Sequence, residues 1–239
     1  MRTIAFALLA LSALSPCTAS ASSARADRVL AAAQERLAAI ERRAQAQQDE
    51  RAIENLQRIY GYYLDRGEWD QVADLFAADG TIEFEQRGVY VGKDRIRRFL
   101  DLLGPAGLRE GHLDDRLQLQ IVVHVAPDGR TATLRARELN MGGDVGGSNH
   151  LAEGTYENAL VKEGGVWKFK SVHYYANLKT DFDKGFGEDA RPIDTASAAL
   201  PPDLPPSEAY RSYPAAHVAP FRQPNPVTGD PVQYKGEFE

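Results

Sequence analysis

The order of patterns along this 239-residue chain predicts an α+β fold, with helices packed on one face of a curved antiparallel sheet. Helical periodicity dominates the stretch before Leu103, and period-two alternation rich in β-branched residues runs from His112 to Asn177. A third observation marks where the core stops: ten of the thirteen prolines lie in the last 55 residues.

The beginning of the chain reads as a secretory signal peptide spanning residues 1–21. Arg2 forms a short positive region, Ile4 to Leu14 an apolar run, and small residues follow through Ala26. Cleavage after Ala21 or after Ala26 suits the small-residue rule. The run is well short of the roughly 20 residues that cross a bilayer, so no stable membrane insertion is expected. A lipoprotein anchor at Cys17 is the alternative, weakened by Pro16 beside it. The destination implied is the periplasm or the exterior.

Residues 27–48, rich in Ala, Gln, Glu and Arg, predict a helical lead-in. It merges with a helix whose Ile53, Leu56, Tyr60 and Tyr63 form one apolar, aromatic stripe that ends at Asp65-Arg66-Gly67. A short second helix follows, with Trp69, Val72, Ala73 and Phe76 inward and Asp79-Gly80 as its closing turn. Thr81 to Tyr90 alternates as a strand pair. Gly92-Lys93-Asp94 opens a third helix with Ile96, Phe99, Leu100 and Leu103 inward, stopped by Gly104-Pro105. Four long strands are then expected: His112 to Val125, Thr131 to Met141, Ala152 to Val161 and Val166 to Asn177. Pro127-Asp128-Gly129 and Glu163-Gly164-Gly165 supply hairpin turns, and Gly142 to Ser148 reads as a mobile lip. Residues 185–239 can build no second core. Their aromatic residues Tyr210, Tyr213, Phe221, Tyr234 and Phe238 suggest an extended arm laid on the domain or on a partner subunit, a disordered tail being the alternative.

Composition narrows function. A formal charge of -6 without a basic block argues against nucleic-acid partners. With 43% hydrophobic residues the chain can bury a substantial core as one domain with appendages, and its single cysteine allows neither an internal disulfide nor a cysteine-based zinc site. No Gly-rich phosphate loop, His-Glu-x-x-His or Gly-x-Ser-x-Gly pattern occurs. Acid-base chemistry without a cofactor or metal is the expectation that remains.

Tyr60, Asp65 and His112 are the candidate catalytic residues. An imidazole near a carboxylate suits abstraction of a carbon-bound proton near neutral pH, and a phenol can polarise an oxygen. Taken singly, Asp65 also suits a helix-terminal turn, His112 a strand start and Tyr60 core packing. If Trp167 and Phe169 face the helices, strict alternation carries His173 and Tyr175 inward with them. The register that buries Ala132, Leu134 and Ala136 turns Glu138 inward among apolar neighbours, whereas a slip would leave it in water. Tyr63, Trp69, Glu138, His173 and Tyr175 are therefore the expected substrate-binding side chains.

Residues 50–180 resemble a SnoaL-like domain of the nuclear-transport-factor-2-like superfamily. The resemblance rests on Tyr60-x4-Asp65-x3-Trp69, Leu75-Phe76-Ala77-Ala78-Asp79-Gly80, Val91-Gly92-Lys93-Asp94, His112 at a strand start and Gly165-Val166-Trp167-Lys168-Phe169. It implies a cone-shaped barrel of three helices on a strongly curved mixed or antiparallel sheet around one apolar pocket. The superfamily's scytalone dehydratases and bile-acid 7α-dehydratases match Tyr60, Asp65 and His112. This implies that His112 takes a proton from carbon, Asp65 orients it and Tyr60 binds an oxygen. An exported, cofactor-independent lyase, most simply a dehydratase acting on a hydrophobic cyclic or aromatic small molecule, is the function implied. Formaldehyde-releasing lyases of lignin-derived aromatics, isomerases, cyclases and non-catalytic binding or assembly modules share the superfamily and stand as alternatives. The resemblance also implies a homodimer.

Overall fold

The computed structural model of the chain describes residues 17–217 and 219–232, with side chains from residue 24 onward. The expected signal peptide up to residue 16, and Tyr234 and Phe238 of the arm, lie outside the described residues. Two compact units, Met1–Gln45 and Ala46–Glu239, divide the chain.

Helix α1 (Cys17–Asp65) begins in the first unit, and its residues from Ala46 on belong to the second. Strong helix formers crowd its first half, so the expected lead-in and main helix are one element. In the second unit Ile53, Gln57, Tyr60 and Leu64 recur at spacings of three and four and are buried. Gly67 ends the helix at φ 62°, with its N–H bonded to Leu64 O and that of Glu68 to Tyr63 O, the paired bonds of a Schellman cap.

Helix α2 (Trp69–Asp74) buries Trp69, Val72 and Ala73. It stops short of Phe76 because Phe76 already belongs to strand β1 (Phe76–Phe84), which pairs in parallel with a later strand. Asp79 and Gly80, expected as a helix-closing turn, lie inside β1 where its register shifts between Phe76 and Thr81. Strand β2 (Val89–Val91) returns antiparallel, and α3 (Lys93–Leu100) presents Ile96, Phe99 and Leu100 to the core. The indole of Trp69 donates to Gly104 O at 3.0 Å and ties down the segment after α3.

Four long strands follow: β3 (His112–Val125), β4 (Thr131–Asp144), β5 (Asn149–Glu163) and β6 (Val166–Asp181). They form a sheet of order β2-β1-β6-β5-β4-β3, antiparallel except at β1–β6. Glycines 129, 164 and 165, all at positive φ, sit in the two expected hairpin turns. The glycine-rich segment is drawn further into the sheet than expected. Gly142 and Gly143 directly precede Asp144, the last residue of β4, and a Cβ on either would collide with His150 or Asn149 of β5.

Strict alternation fails on β6, and this decides which side chains reach the interior. Ala159 pairs with Ser171 but Leu160 with Phe169, so one residue of β6 is extra there. This bulge reverses the pleat. Trp167 and Phe169 join the core, then Val172, Tyr174 and Ala176 do. His173 and Tyr175 consequently lie on the opposite face, stacked on one another with ring centroids 3.8 Å apart. A second irregularity beside Glu153 and Gly154 turns the pleat again and places Lys179 with the interior residues.

The Pro-rich segment lies on its own domain. Tyr90 donates to Leu200 O, and Asp203 accepts from the Val91 N–H and from Arg95. Beyond the end of β1 the edge of β6 is met by the arm: the Ala176 N–H donates to the Tyr210 hydroxyl, and the Tyr213 N–H to Asn177 O. Tyr210 and His217 cover Tyr175 with tilted and stacked rings, and Tyr175 in turn stacks on His173. Phe221 lies under the Arg135 guanidinium, 4.4 Å from its ring centroid.

Candidate active site

A cavity of about 500 Å³ opens against the concave side of the sheet. Phe84, Leu102, Leu103, Ala152 and Tyr174 give it apolar wall. The rest is polar: Arg116 from β3, Glu138 and Asn140 from β4, His150 from β5, Lys179 from β6, Glu85 and Arg87 after β1, and Arg191 and Asp194 from the arm. The apolar pocket expected from sequence is thus corrected to a charged and aromatic one.

Register explains the convergence. Arg116 stands opposite Asn140, and Gln118 opposite Glu138, so their side chains alternate onto one face. Arg116 Nε lies 3.1 Å from the Asp114 carboxylate, and its Nη1 3.4 Å from Glu138. Burial opposes the guanidinium charge, yet Asp114 and Glu138 more than offset this and hold Arg116 charged. Glu138 is buried, accepting from the Tyr156 hydroxyl at 2.6 Å and from Gln118 at 3.0 Å. Gln118 is in turn bonded by Gln57 of α1 at 2.7 Å. The inward register of Glu138 is therefore as expected, but its neighbours are a cation and hydrogen-bond donors rather than apolar groups.

The same chain of contacts continues toward β5. Asn140 donates to Asp114 at 2.7 Å, and its carbonyl oxygen lies 2.6 Å from His150 Nε2. Burial, with Arg116 next in weight, holds the His150 pKa below that of a free imidazole. Gly142 leaves room for the His150 ring, and Gly154 for the ring of Tyr174.

The trio expected from sequence does not converge as a hydrogen-bonded unit. Asp65 accepts the backbone N–H of Arg116 at 2.7 Å, and burial pushes its pKa up against that bond. His112 sits four residues earlier on β3, about 13 Å along a strand rising roughly 3.3 Å per residue. It pairs instead with Asp144 at the sheet's end, Nδ1 to Oδ1, 2.9 Å. Tyr60 is fully buried, with its ring edge-on to Tyr156 and Phe169. Its hydroxyl, close to that of Tyr156, makes no hydrogen bond of normal geometry, and burial pushes its pKa up. Tyr63 and Trp69 pack in the core. His173 and Tyr175 face the arm rather than the cavity, because of the bulge in β6. Among the described residues, no group of three or more His, Cys, Asp or Glu side chains is arranged to hold a metal ion.

Sequence reasoning missed Arg116, Asn140, His150 and Lys179. Asp114-x-Arg116-x-Gln118 and Glu138-x-Asn140 are polar at period two, which could have exposed a polar inner face. Lys179 lies beyond Asn177, the expected end of the last strand, although alternation from Trp167 and Phe169 also points it inward because the two irregularities in β6 cancel.

Helices packed on a curved six-stranded sheet, with one polar cavity on its concave side, define a cone-type α+β domain of the nuclear-transport-factor-2-like class. Residues 45–173 match the SnoaL-like domain family, and the chain belongs to it. Among solved structures, a protein provisionally named scytalone dehydratase from Novosphingobium aromaticivorans DSM 12444 is 22% identical with a TM-score of 0.51, covering 58% of this chain and 91% of its own. A hexachlorocyclohexane dehydrochlorinase, LinA type 3 from Novosphingobium barchaimii LL02, is 18% identical with a TM-score of 0.52, covering 58% and 93%. The type 2 dehydrochlorinase is 20% identical with a TM-score of 0.51, covering 58% and 92%. At these identities the likeness is one of fold. A search among curated proteins found no match.

Proposed function

We propose that this chain is an exported, cofactor-independent lyase acting in the concave cavity on a cyclic or aromatic small molecule bearing hydroxyl or carbonyl oxygens, most simply a dehydratase. The observation that carries this reading is Arg116. A guanidinium kept charged within a cavity that also has aromatic wall is placed to stabilise negative charge developing on a substrate oxygen, where exclusion of water strengthens the effect. In the reaction a carbon-bound proton is removed, a carbon-carbon double bond forms, and the neighbouring hydroxyl leaves with a proton as water. Asp65 and Tyr60 act from behind this surface, Asp65 by fixing the Arg116 backbone and Tyr60 by backing Tyr156. His112 and Asp144 form an imidazole-carboxylate pair at the end of the sheet, outside the residues that line the cavity.

The dehydratase and dehydrochlorinase names among structures of this fold support a lyase, and the leader-like grammar of residues 1–21 supports export. A homodimer remains our expectation from the family, tested by sedimentation of the purified chain.

The test is turnover of a pool of hydroxylated aromatic and alicyclic compounds without added metal or nucleotide, read by mass spectrometry. Loss of water marks a dehydratase, loss of formaldehyde a deformylating lyase, and an unchanged mass with new retention an isomerase. Ala152→Trp, which fills the cavity, is expected to abolish turnover, and Arg116→Gln to lower it by about two powers of ten or more. Full turnover by Ala152→Trp would reject this cavity as the site.

A further inference from the structure

We propose that His150 is the general base of this cavity, with Nδ1 as the atom that receives the proton and Asp114 and Asn140 as positioning residues that fix the ring's tautomer. The inference rests on the reading of the cavity as a lyase site and adds the group that takes the proton.

An ionised carboxylate only accepts, so Asp114 Oδ1 at 2.7 Å selects the amide nitrogen of Asn140. The Asn140 oxygen must then face His150, and at 2.6 Å from Nε2 it can only accept. Nε2 therefore carries the hydrogen, and Nδ1 of the neutral ring carries the lone pair. A carboxylate further along the chain sets the tautomer through one amide relay. The ring lines the cavity, seated over Gly142 where any Cβ would collide with it.

The groups facing this imidazole come from every neighbouring element: Asp114 and Arg116 from β3, Asn140 from β4, Lys179 from β6 and Arg191 from the arm. Burial and the three cations disfavour the imidazolium, and Asp114 favours it. The net direction is downward, so the base is unprotonated at neutral pH.

Two measurements on the full chain test this. Two-bond proton-nitrogen NMR of the imidazoles, assigned by loss of one set of signals in His150→Gln, reports the tautomer without any substrate. The Nε2–H form is expected. In Asp114→Asn the new amide can donate to the Asn140 oxygen, so Asn140 flips and the His150 tautomer should move toward Nδ1–H. A wild-type Nδ1–H tautomer would overturn the assignment.

The second measurement uses 5-nitrobenzisoxazole. Removal of its carbon-bound proton by Nδ1 sends that electron pair into the nitrile as the N–O bond breaks, and the phenolate oxygen keeps the bond's electrons. Wild-type turnover should hold at about pH 6.5, where a free imidazole is half protonated, and fall only at lower pH. His150→Gln should lose about two powers of ten or more in rate, and Asp114→Asn about one, with melting temperature confirming that both fold. An inert wild type, or a His150→Gln rate equal to wild type, overturns the base. If Ala152→Trp abolishes turnover while His150→Gln does not, only the base assignment fails; if neither variant changes the rate, the cavity reading fails with it. Loss of turnover in His112→Ala together with full activity in His150→Gln would move the base to the His112–Asp144 pair.

Discussion

Arg116 and Glu138 show how one inward pair of side chains can set the character of a whole cavity. Taking both charges out of water is costly, and their attraction repays that cost only where each remaining donor and acceptor is satisfied. Glu138 meets this condition through Tyr156 and Gln118, and Arg116 through Asp114. Replacing one partner is therefore expected to hurt more than replacing both. Arg116→Met should destabilise the fold by about 3–5 kcal/mol by leaving buried carboxylates without their cation, whereas Arg116→Met with Glu138→Gln should recover a substantial part. Chemical denaturation of the two variants checks this. Equal losses in the single and double variants would mean that the pair is not energetically coupled.

At the scale of elements, the arm on β6 is a titrating interface. Burial, with Arg222 and His217 adding to it, pushes His173 down to about 3. An imidazole in the unfolded chain takes its proton near pH 6.5. The folded state therefore lags in proton uptake, and the stability this residue contributes is full above pH 6.5 and lost as pH falls toward 3. Glu157, pushed up to about 7 by burial against the opposing pull of Arg135, acts in the other direction: its charge is penalised, and the penalty is relieved as pH falls from 7 toward 4.5. His173→Gln should consequently gain on wild type by about 1 kcal/mol per pH unit below pH 6. Melting temperatures from pH 7 to 4 measure this, and a pH-independent difference between the two proteins would contradict it. Tyr210→Phe removes the hydroxyl that accepts from the Ala176 N–H and should cost about 1–2 kcal/mol. Unchanged hydrogen exchange at Ala176 in that variant would refute the role given to the hydroxyl.

These elements also show what the sequence could convey. Helices, hairpins and the inward face of β4 were legible because their periods of 3.6 and two are properties of the local chain. The side on which His173 and Tyr175 lie was not, because the extra residue in β6 before them reverses the pleat and is fixed by pairing with β5 rather than by composition. The boundary of α2 failed similarly: Phe76 continues the helical spacing, but its pairing with Phe169 prevails. Residue types suggest a pairing of His112 with Asp65, and the family resemblance implies it. In the fold, Asp65 is occupied by the Arg116 N–H and a nearer carboxylate, Asp144, takes the imidazole.

Across the whole Ala46–Glu239 unit the sheet divides its labour between two faces. The concave face carries the charged cavity, and the arm both covers part of the opposite face and returns Arg191, Pro192 and Asp194 to the cavity wall. Asp194 bonds Lys179 and Arg87, so the arm is fastened by the same charges that line the site. The most direct test of this account is a crystal structure with a turned-over aromatic compound bound. The account predicts electron density in the concave cavity, with an oxygen against Arg116, a reacting carbon near His150 Nδ1 and a ring against Phe84 or Tyr174. Density confined to the rings of His173, Tyr175 and Tyr210 beneath the arm, with the cavity empty, would contradict it.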